Sequence, residues 1–314
     1  MPKSFEEEYV LINGISQYFL HYPSPQKDVN DVVIYLHGGP GSSVASVAYA
    51  QNLYFNFVNV VYYDQRGAGR THKKSKSKPK DLTISNLITD LKQTINYIKE
   101  KYQTNRIILL GQSWGTVLGT QYILEYPDDV MCYIGTGHCV DSRRESRIIY
   151  DKLKGLVENK GKEKDIKKLH SLKDLPDMPV DEKGYVAKET SFFLLRSKYG
   201  LNMKMGKLLK LMWKSPIFKL SDIPLMVTAP KRNIQLIKWM TDWSIWDISD
   251  YGLPVYYILG QDDWQTPSIL AAEYFEKINA PRKELYWVNN AGHATNLDNP
   301  VDFYKAVREI IKQL

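Results

Sequence analysis

A serine inside a glycine-bounded pentapeptide is the strongest chemical signal in the chain. Residues 111–115 read Gly-Gln-Ser-Trp-Gly, which matches Gly-x-Ser-x-Gly with Ser113 at the centre. In this pattern the serine occupies a sharp, strained turn between a strand and a helix, where bulky side chains two residues away would collide. The context fits, because the strand-like run RIILLG ends at Gly111 and a helical pattern begins at Trp114. We therefore predict that Ser113 is a nucleophile.

A serine hydroxyl is a poor nucleophile unless a base removes its proton, and that base is usually a histidine oriented by a carboxylate. Six histidines are present, and His293 follows the last predicted strand in the sequence NAGH. In proteins with a serine on such a turn, the three catalytic residues occur along the chain in the order serine, acid, histidine. His138 and His170 also follow Ser113, but no acid-bearing strand end lies between Ser113 and either of them. We predict that His293 is the base.

The acid should follow the strand before that of His293. That strand reads PVYYILG, and Gln261-Asp262-Asp263-Trp264 comes directly after it. Either aspartate could lie on the loop that faces the histidine. Spacing alone leaves Asp262 and Asp263 as alternatives, and the other one is expected to cap a turn.

Acyl transfer also needs hydrogen-bond donors for the developing oxyanion. One predicted donor is the backbone N–H of Trp114, directly after the nucleophile. The second comes from the loop His37-Gly38-Gly39-Pro40-Gly41, where we choose Gly39 because glycines let the backbone approach a substrate closely. His37 is expected to be a structural hydrogen-bonding residue. Arg66, in the turn Asp64-Gln65-Arg66-Gly67, is expected to form an ion pair with this loop.

Alternating strands and helices are predicted to position these residues. Asn13-Gly14 separates two short strand runs and indicates a hairpin. Apolar runs of strand length and segments of helical periodicity then alternate, which is typical of a parallel sheet with helices on both faces. The predicted strands are 31–37, 57–63, 106–111, 130–136, 254–260 and 284–289, and the predicted helices are 84–102, 114–126, 268–278 and one from about 301.

The region between the two halves of this pattern has a different character. From Ser142 to about Trp246 the sequence is charged and amphipathic and lacks β-branched strand runs. We predict a helical insertion into the sheet domain. The expected organisation is a first core part at 1–141, a helical cap at 142–247 and a second core part at 248–314.

Composition narrows the range of partners. The 314 residues carry a net charge of +7, and their basic stretches are Lys73–Lys80 and Lys152–Lys173. The first alternates with Ser and Pro, as in an exposed loop, and the second alternates with acids, as on a solvated helix face. Without aromatic interleaving or a nucleic-acid motif, we expect no nucleic-acid partner. No apolar run reaches the length of a membrane span, so no membrane association is expected.

The expected compartment is the cytoplasm. The N-terminus is acidic and lacks the apolar core of a secretory signal. Only two cysteines are present, Cys132 and Cys139, and reduced thiols are the simpler interpretation. The sequence gives no indication of the oligomeric state.

Three motifs taken together resemble the proline iminopeptidase (prolyl aminopeptidase) family of α/β-hydrolases. They are HGGPG at 37–41, DQRGAGR at 64–70 and GQSWG at 111–115, and the likeness continues in GQDDWQTP at 260–267 and NAGHATNLDNP at 290–300. The resemblance covers both core parts. It implies the α/β-hydrolase fold with an inserted helical cap. The family's acid loop, Gly-x-x-Asp-x-x-x-Pro, matches Asp263 with Pro267 and so favours Asp263 over Asp262.

The resemblance also implies an activity. Members of the family remove an N-terminal residue, often proline, from a peptide or amide, and cap carboxylates hold the free amino group. Candidate amine partners here are Glu182, Glu189, Asp242 and Asp247, of which we choose Glu189. Each of the four is alternatively an ordinary solvated helix charge. No metal or organic cofactor is expected.

Two other functions stay open, since fold and triad do not fix the substrate. The first is a carboxylesterase or amidase that acts on a small substrate with the same triad. The second is a catalytically silent hydrolase fold used as a binding protein, although all three triad positions are occupied here. An aspartate-nucleophile dehalogenase or epoxide hydrolase is disfavoured because the strand-to-helix turn at 111–115, the nucleophile elbow, holds a serine.

Overall fold

A single eight-stranded sheet forms the centre of the molecule. The computed structural model describes residues 5–26, 28–180 and 183–314. The strands are β1 (Glu6–Ile12), β2 (Ile15–Tyr22), β3 (Val32–Leu36), β4 (Asn59–Tyr63), β5 (Ile107–Gln112), β6 (Cys132–Thr136), β7 (Val255–Gly260) and β8 (Lys283–Val288). Their order across the sheet is β1-β2-β4-β3-β5-β6-β7-β8.

Helices connect most of these strands. α1 (Ala45–Asn52) follows β3, α2 (Gly69–Ser75) and α3 (Ile84–Tyr102) follow β4, and α4 (Trp114–Glu125) follows β5. Between β6 and β7 lie α5 (Ser142–Lys160), α6 (Glu163–His170), α7 (Tyr185–Lys198), α8 (Met205–Trp213), α9 (Ile223–Val227), α10 (Ala229–Arg232) and α11 (Ile234–Thr241). The chain ends with α12 (Ser268–Lys277), α13 (Thr295–Asp298) and α14 (Pro300–Lys312).

Strand direction brings the loops of interest to one edge. β1 and β2 form the predicted antiparallel hairpin, with Asn13 and Gly14 both at positive φ. β2 pairs antiparallel with β4, and from β4 onward every neighbouring pair is parallel. The carboxyl ends of β3 to β8 therefore share an edge, which is where ligands bind in α/β sheets. The predicted α/β-hydrolase architecture is confirmed.

Two apolar layers cover the sheet. α3, α4 and α12 pack on one face through side chains such as Leu91, Leu118 and Tyr274. α1 and α14 cover the other face, where Ala48 and Val307 are fully buried. The central strands are buried on both faces, which explains why they read as continuous apolar runs rather than alternating patterns.

The helices α5 to α11 form the insertion. The described residues between β6 and β7 contain no strand, and an isolated bridge between Asp141 and Ser244 joins the entry of the insertion to its exit. The insertion has its own apolar cluster, which includes Leu153, Phe192 and Leu195. The boundaries at 142 and 247 stay a prediction.

Three short helices outside the cap, α1, α2 and α13, were not predicted, and α2 corrects the expectation for the basic stretch at 73–80. Lys73 and Lys74 lie in α2 rather than in an exposed loop, and only the residues after Ser75 leave the helix. α2 packs on β2 and has no apolar periodicity of its own, so tertiary contacts form it. No helix among the described residues is long and apolar enough to cross a membrane.

Candidate active site

Ser113 lies on a strained turn between β5 and α4. Its φ is 54° and its ψ is −125°, a conformation that non-glycine residues rarely adopt. The flanking glycines are needed for close packing: a Cβ on Gly111 would lie 2.6 Å from the Gly115 carbonyl oxygen, and one on Gly115 would overlap the Leu36 carbonyl oxygen. Both contacts are with backbone atoms that cannot move aside. The elbow geometry inferred from the pentapeptide is therefore present.

Asp263 and His293 form a buried pair. The Asp263 Oδ2 atom lies 3.0 Å from His293 Nδ1, and their side chains are 0% and 5% exposed. Asp262 is exposed, and its backbone N–H donates to Ala291 O instead. Of the two aspartates that the spacing left open, it is therefore Asp263 that contacts the histidine.

The Asp263 carboxylate is fixed by its own loop. Its Oδ1 accepts from the backbone N–H groups of Gln265 and Thr266, and its Oδ2 accepts from Thr266 Oγ1 at 2.9 Å. Because these groups are all donors, the carboxylate presents acceptor oxygens to the imidazole. The proton then lies on Nδ1 of His293, and Nε2 is left as the basic nitrogen.

The turn after β6 connects the nucleophile with this pair. The Ser113 N–H donates to Thr136 O at 3.1 Å. The next residue, Gly137, lies against the acid and the base: a Cβ there would be 3.1 Å from His293 Nδ1 and 3.5 Å from Asp263 Oδ2. Ser113 therefore contacts Thr136, and His293 and Asp263 contact the adjacent Gly137, at the carboxyl edge of the sheet.

The loop after β3 approaches Ser113 from the other side. A Cβ on Gly38 would lie 3.1 Å from the Ser113 Cβ, and Gly39 has a φ of 124°. The peptide bond from Gly39 to Pro40 is cis. Trp114 is the first residue of α4, where backbone N–H groups have no intrahelical acceptor. The N–H groups predicted as oxyanion donors thus belong to two segments that meet at Ser113.

Gln65, which no sequence motif singled out, ties these two segments together. Its Nε2 donates to His37 O at 3.0 Å, and its Oε1 accepts from Trp114 Nε1 at 3.0 Å. Its backbone N–H donates to His37 Nε2, while His37 Nδ1 donates to Gly38 O. His37 thus has the structural geometry expected of it. The signal that could have identified Gln65 was its position at the end of β4, beside β3.

Arg66 does not pair with the loop after β3, which corrects our expectation. Its guanidinium binds Asp90 of α3 through two hydrogen bonds of 2.8 Å and also donates to Asn13 O. Both side chains are buried. Arg66 is structural as expected, but it joins the turn after β4 to α3 and to the β1–β2 hairpin.

A cavity of about 190 Å³ lies between the cap and the acid loop. Its lining includes Glu145 on α5, Glu189 on α7 and Gln265, whose N–H binds Asp263. Burial raises the pKa of Glu145 to about 8, although the Val140 N–H donates to its carboxylate. Burial also raises the pKa of Glu189, and the Arg196 guanidinium 3.6 Å away opposes that shift.

The other candidate amine partners lie elsewhere. Asp242 is exposed and pairs with Arg143, and Asp247 is exposed. Glu182 lies outside the described residues. Glu145 was missed, although it continues the buried i, i+4 stripe of α5, which consists of Ile149, Leu153 and Val157. An acid on the apolar face of a helix was the signal that could have revealed it.

The sheet, the serine elbow after β5, and the acid and histidine after β7 and β8 define an α/β-hydrolase. A family profile described as serine aminopeptidase, S33 matches residues 27–187, just over half of the chain. The chain belongs to this family.

Similar proteins extend the comparison. A probable aminopeptidase of Bacillus subtilis, YbaC, is 22% identical over 94% of this chain and 89% of its own length. The proline iminopeptidase of Saccharolobus solfataricus is 34% identical, but over only 38% of this chain and 37% of that protein.

Solved structures share the fold at low identity. A proline iminopeptidase of Mycobacterium smegmatis has a TM-score of 0.69 at 18% identity, and the match covers 98% of both chains. An epoxide hydrolase of Vigna radiata, VrEH1, has a TM-score of 0.59 at 17% identity over the whole of both chains. The fold is therefore common to different chemistries, and the site must distinguish between them.

Proposed function

We propose that this protein is a serine aminopeptidase that releases an N-terminal residue, proline among them, from small peptides or amides. The observation that carries the proposal is the buried Asp263–His293 pair beside the Ser113 elbow, together with a cap cavity whose lining includes Glu145, Glu189 and Gln265 of the acid loop. Ser113 is the nucleophile, His293 the general base and Asp263 the residue that orients it.

In the acylation step Ser113 Oγ attacks the scissile carbonyl as His293 Nε2 takes the hydroxyl proton. Asp263 holds Nδ1–H and stabilises the imidazolium that forms. The backbone N–H groups of Gly39 and Trp114 stabilise the oxyanion in the transition state. His293 then gives its proton to the leaving amine, and an acyl-enzyme remains on Ser113.

In the second step water attacks the acyl-enzyme. His293 removes a proton from the water and returns it to Ser113 Oγ as the acid product leaves. The proposed chemistry uses side chains and backbone amides only.

Recognition of the free amine is assigned to the cavity. Among the described residues, no cation lies within ion-pairing distance of the buried Glu145 carboxyl, whereas Glu189 faces Arg196. Binding of an α-ammonium group would favour the ionised form of Glu145 and provide the positive charge that this buried carboxyl lacks. The volume is below that of sites for drug-sized ligands and suits a single residue.

The test is a panel of fluorogenic aminoacyl amides, proline included, each with a free and an N-acetylated amino group. We expect release from the free-amine substrates and loss of cleavage on acetylation, because a blocked amine cannot pair with the carboxylates. Ser113→Ala should lower kcat by about 10⁴-fold or more.

Substitutions in the cap complete this test. Glu145→Gln and Glu189→Gln should each raise KM for free-amine substrates, whereas Asp247→Asn, an exposed cap aspartate, should not. Equal cleavage of free and blocked amides would rule out an aminopeptidase. Turnover of short-chain esters without amide cleavage would instead identify a carboxylesterase, and no labelling of folded protein by a fluorophosphonate would indicate a silent binding protein.

A further inference from the structure

The positive charge of the chain is concentrated in one part of the cap. Residues 204–238 contain eight lysines and arginines and a single acid, Asp222. That acid is buried and paired with Arg70, so its charge is neutralised inside the protein. Lys204, Lys210 and Lys214 are exposed. The surface of this segment is therefore strongly basic.

Large apolar side chains are exposed on the same segment. On α8, Met205, Leu209 and Trp213 follow one another at four-residue spacing and are 47%, 55% and 72% exposed. Residues at this spacing share one face of a helix. Lys210 and Lys214 directly follow Leu209 and Trp213 in the chain, so the exposed side of α8 carries both apolar and basic side chains.

A second row of exposed apolar side chains lies on the elements that follow α8 in the chain. Leu220, Ile223 and Val227 are 65%, 42% and 73% exposed. The Trp213 ring lies against Phe218, and Arg70 binds both Ile217 O and Asp222, which fixes this stretch to the core. We call the six apolar residues of both rows, with Lys204, Lys210, Lys214 and Lys219, the basic apolar face.

The charge of the face indicates what covers it. A second copy of the chain in a symmetric dimer would place the same lysines opposite one another, and like charges disfavour that contact. An anionic lipid surface satisfies both features, because its headgroups attract lysines and its acyl boundary accepts Leu, Ile, Val and Trp side chains. Such binding needs no membrane-spanning helix.

We propose that the basic apolar face docks the protein peripherally on an anionic lipid surface. The inference goes beyond hydrolysis and does not depend on it. It also revises the expectation of no membrane association, which rested on the absence of a spanning segment. That criterion does not test for an amphipathic face assembled from short helices.

The experiment is co-sedimentation of the full chain with phosphatidylcholine vesicles, with and without phosphatidylserine as about a third of the lipid. We expect retention on the anionic vesicles only, weakened by raised salt because the lysines are solvent-exposed. Lys210→Glu with Lys214→Glu should weaken partitioning at least about 25-fold, since each lysine near such a surface contributes roughly fivefold. Leu209→Ser with Trp213→Ser should also release the protein.

Matched controls distinguish an effect of the basic apolar face from a general effect of net charge or of exposed apolar side chains. Lys164→Glu with Lys168→Glu makes the same charge change at the same spacing on α6, and Leu11→Ser with Val301→Ser removes two apolar side chains that are 74% and 64% exposed. Both controls should bind as the wild type does, and all variants should keep their hydrolysis of a soluble substrate.

Three results would overturn the proposal. They are failure of the wild type to bind anionic vesicles, equal loss in the α6 control, and retention on immobilised polyglutamate with no binding to vesicles. The last would identify an acidic protein as the partner. Concentration-dependent dimerisation that Leu209→Ser with Trp213→Ser abolishes would instead identify a second copy of the chain.

Discussion

Gln65 uses both ends of its amide to hold the site together. The donor end binds His37 O and the acceptor end binds Trp114 Nε1, so one planar group joins the loop after β3 to the first residue of α4. Those two segments carry both proposed oxyanion donors, Gly39 and Trp114. Since preorganised donors act mainly on the transition state, small displacements there affect kcat more than binding.

Gln65→Leu should therefore lower kcat by at least about tenfold and leave KM nearly unchanged, because the oxyanion exists only during the reaction. Steady-state kinetics on an aminoacyl amide measure this. Gln93→Leu, which removes one hydrogen bond at the surface of α3, is the control and should retain wild-type values. A rise in KM at constant kcat would assign Gln65 to substrate binding instead of positioning.

At the level of elements, the elbow depends on how closely α4 approaches β3. The backbone of Leu36 lies so near Gly115 that no side chain fits between them. This contact fixes the direction in which α4 leaves Ser113, and it joins a strand and a helix that are remote in sequence. The motif therefore records a tertiary constraint as well as a local turn.

Gly115→Ala should lower the free energy of unfolding by about 1–3 kcal/mol, the usual cost of overpacking. Gly155→Ala is the opposite case, because a Cβ at that interior position of α5 meets no atom within 4 Å. It should raise stability by about 0.5–1 kcal/mol through helix propensity. Urea unfolding of both variants tests the two signs, and equal effects would refute the steric argument.

Elements whose own sequence carries an apolar stripe or a capping residue were predicted well. The helix predicted over 84–102 coincides with α3, and Thr83 caps it through a side chain that accepts from the Asn86 N–H. α2 was missed because its residues, GRTHKKS, carry no apolar stripe. The partner of Arg66 was missed because Asp90 lies 24 residues away and reaches the turn only after α3 packs on the sheet.

At the scale of the whole molecule, Glu145 sits where the core joins the cap. It accepts from the Val140 N–H at the entry of the insertion and is 6% exposed. Burial raises its pKa to about 8. In the unfolded chain a glutamate has a pKa of about 4.3. The folded protein therefore holds one more proton than the unfolded chain between these two values.

Folding is consequently favoured at low pH through this group. As pH rises from about 4.3 to about 8, Glu145 should reduce the free energy of unfolding by up to about 1.4 kcal/mol per pH unit. Glu145→Gln removes the group whose pKa changes on folding. The free energy of unfolding of this variant, relative to that of the wild type, should therefore increase as pH rises across the same window. Denaturant unfolding at several pH values measures the difference.

The control for this prediction is Glu158→Gln, an exposed position on the same helix. It should follow the wild-type pH dependence throughout. A constant difference between Glu145→Gln and the wild type at all pH values would show that the Glu145 carboxyl titrates alike in the folded and unfolded protein.

The sequence by itself determined the order of the eight strands along the chain, the elbow at Ser113 and the position of His293, because periodicity and glycine spacing are local properties. It left Asp262 and Asp263 as equals, and only the resemblance separated them before the fold was known. The tertiary structure decided that Asp263 meets His293, that Gln65 joins two loops and that Glu145 lines a cavity. Each of these contacts unites segments whose proximity depends on sheet order and on the docking of the cap, which no single stretch of sequence encodes.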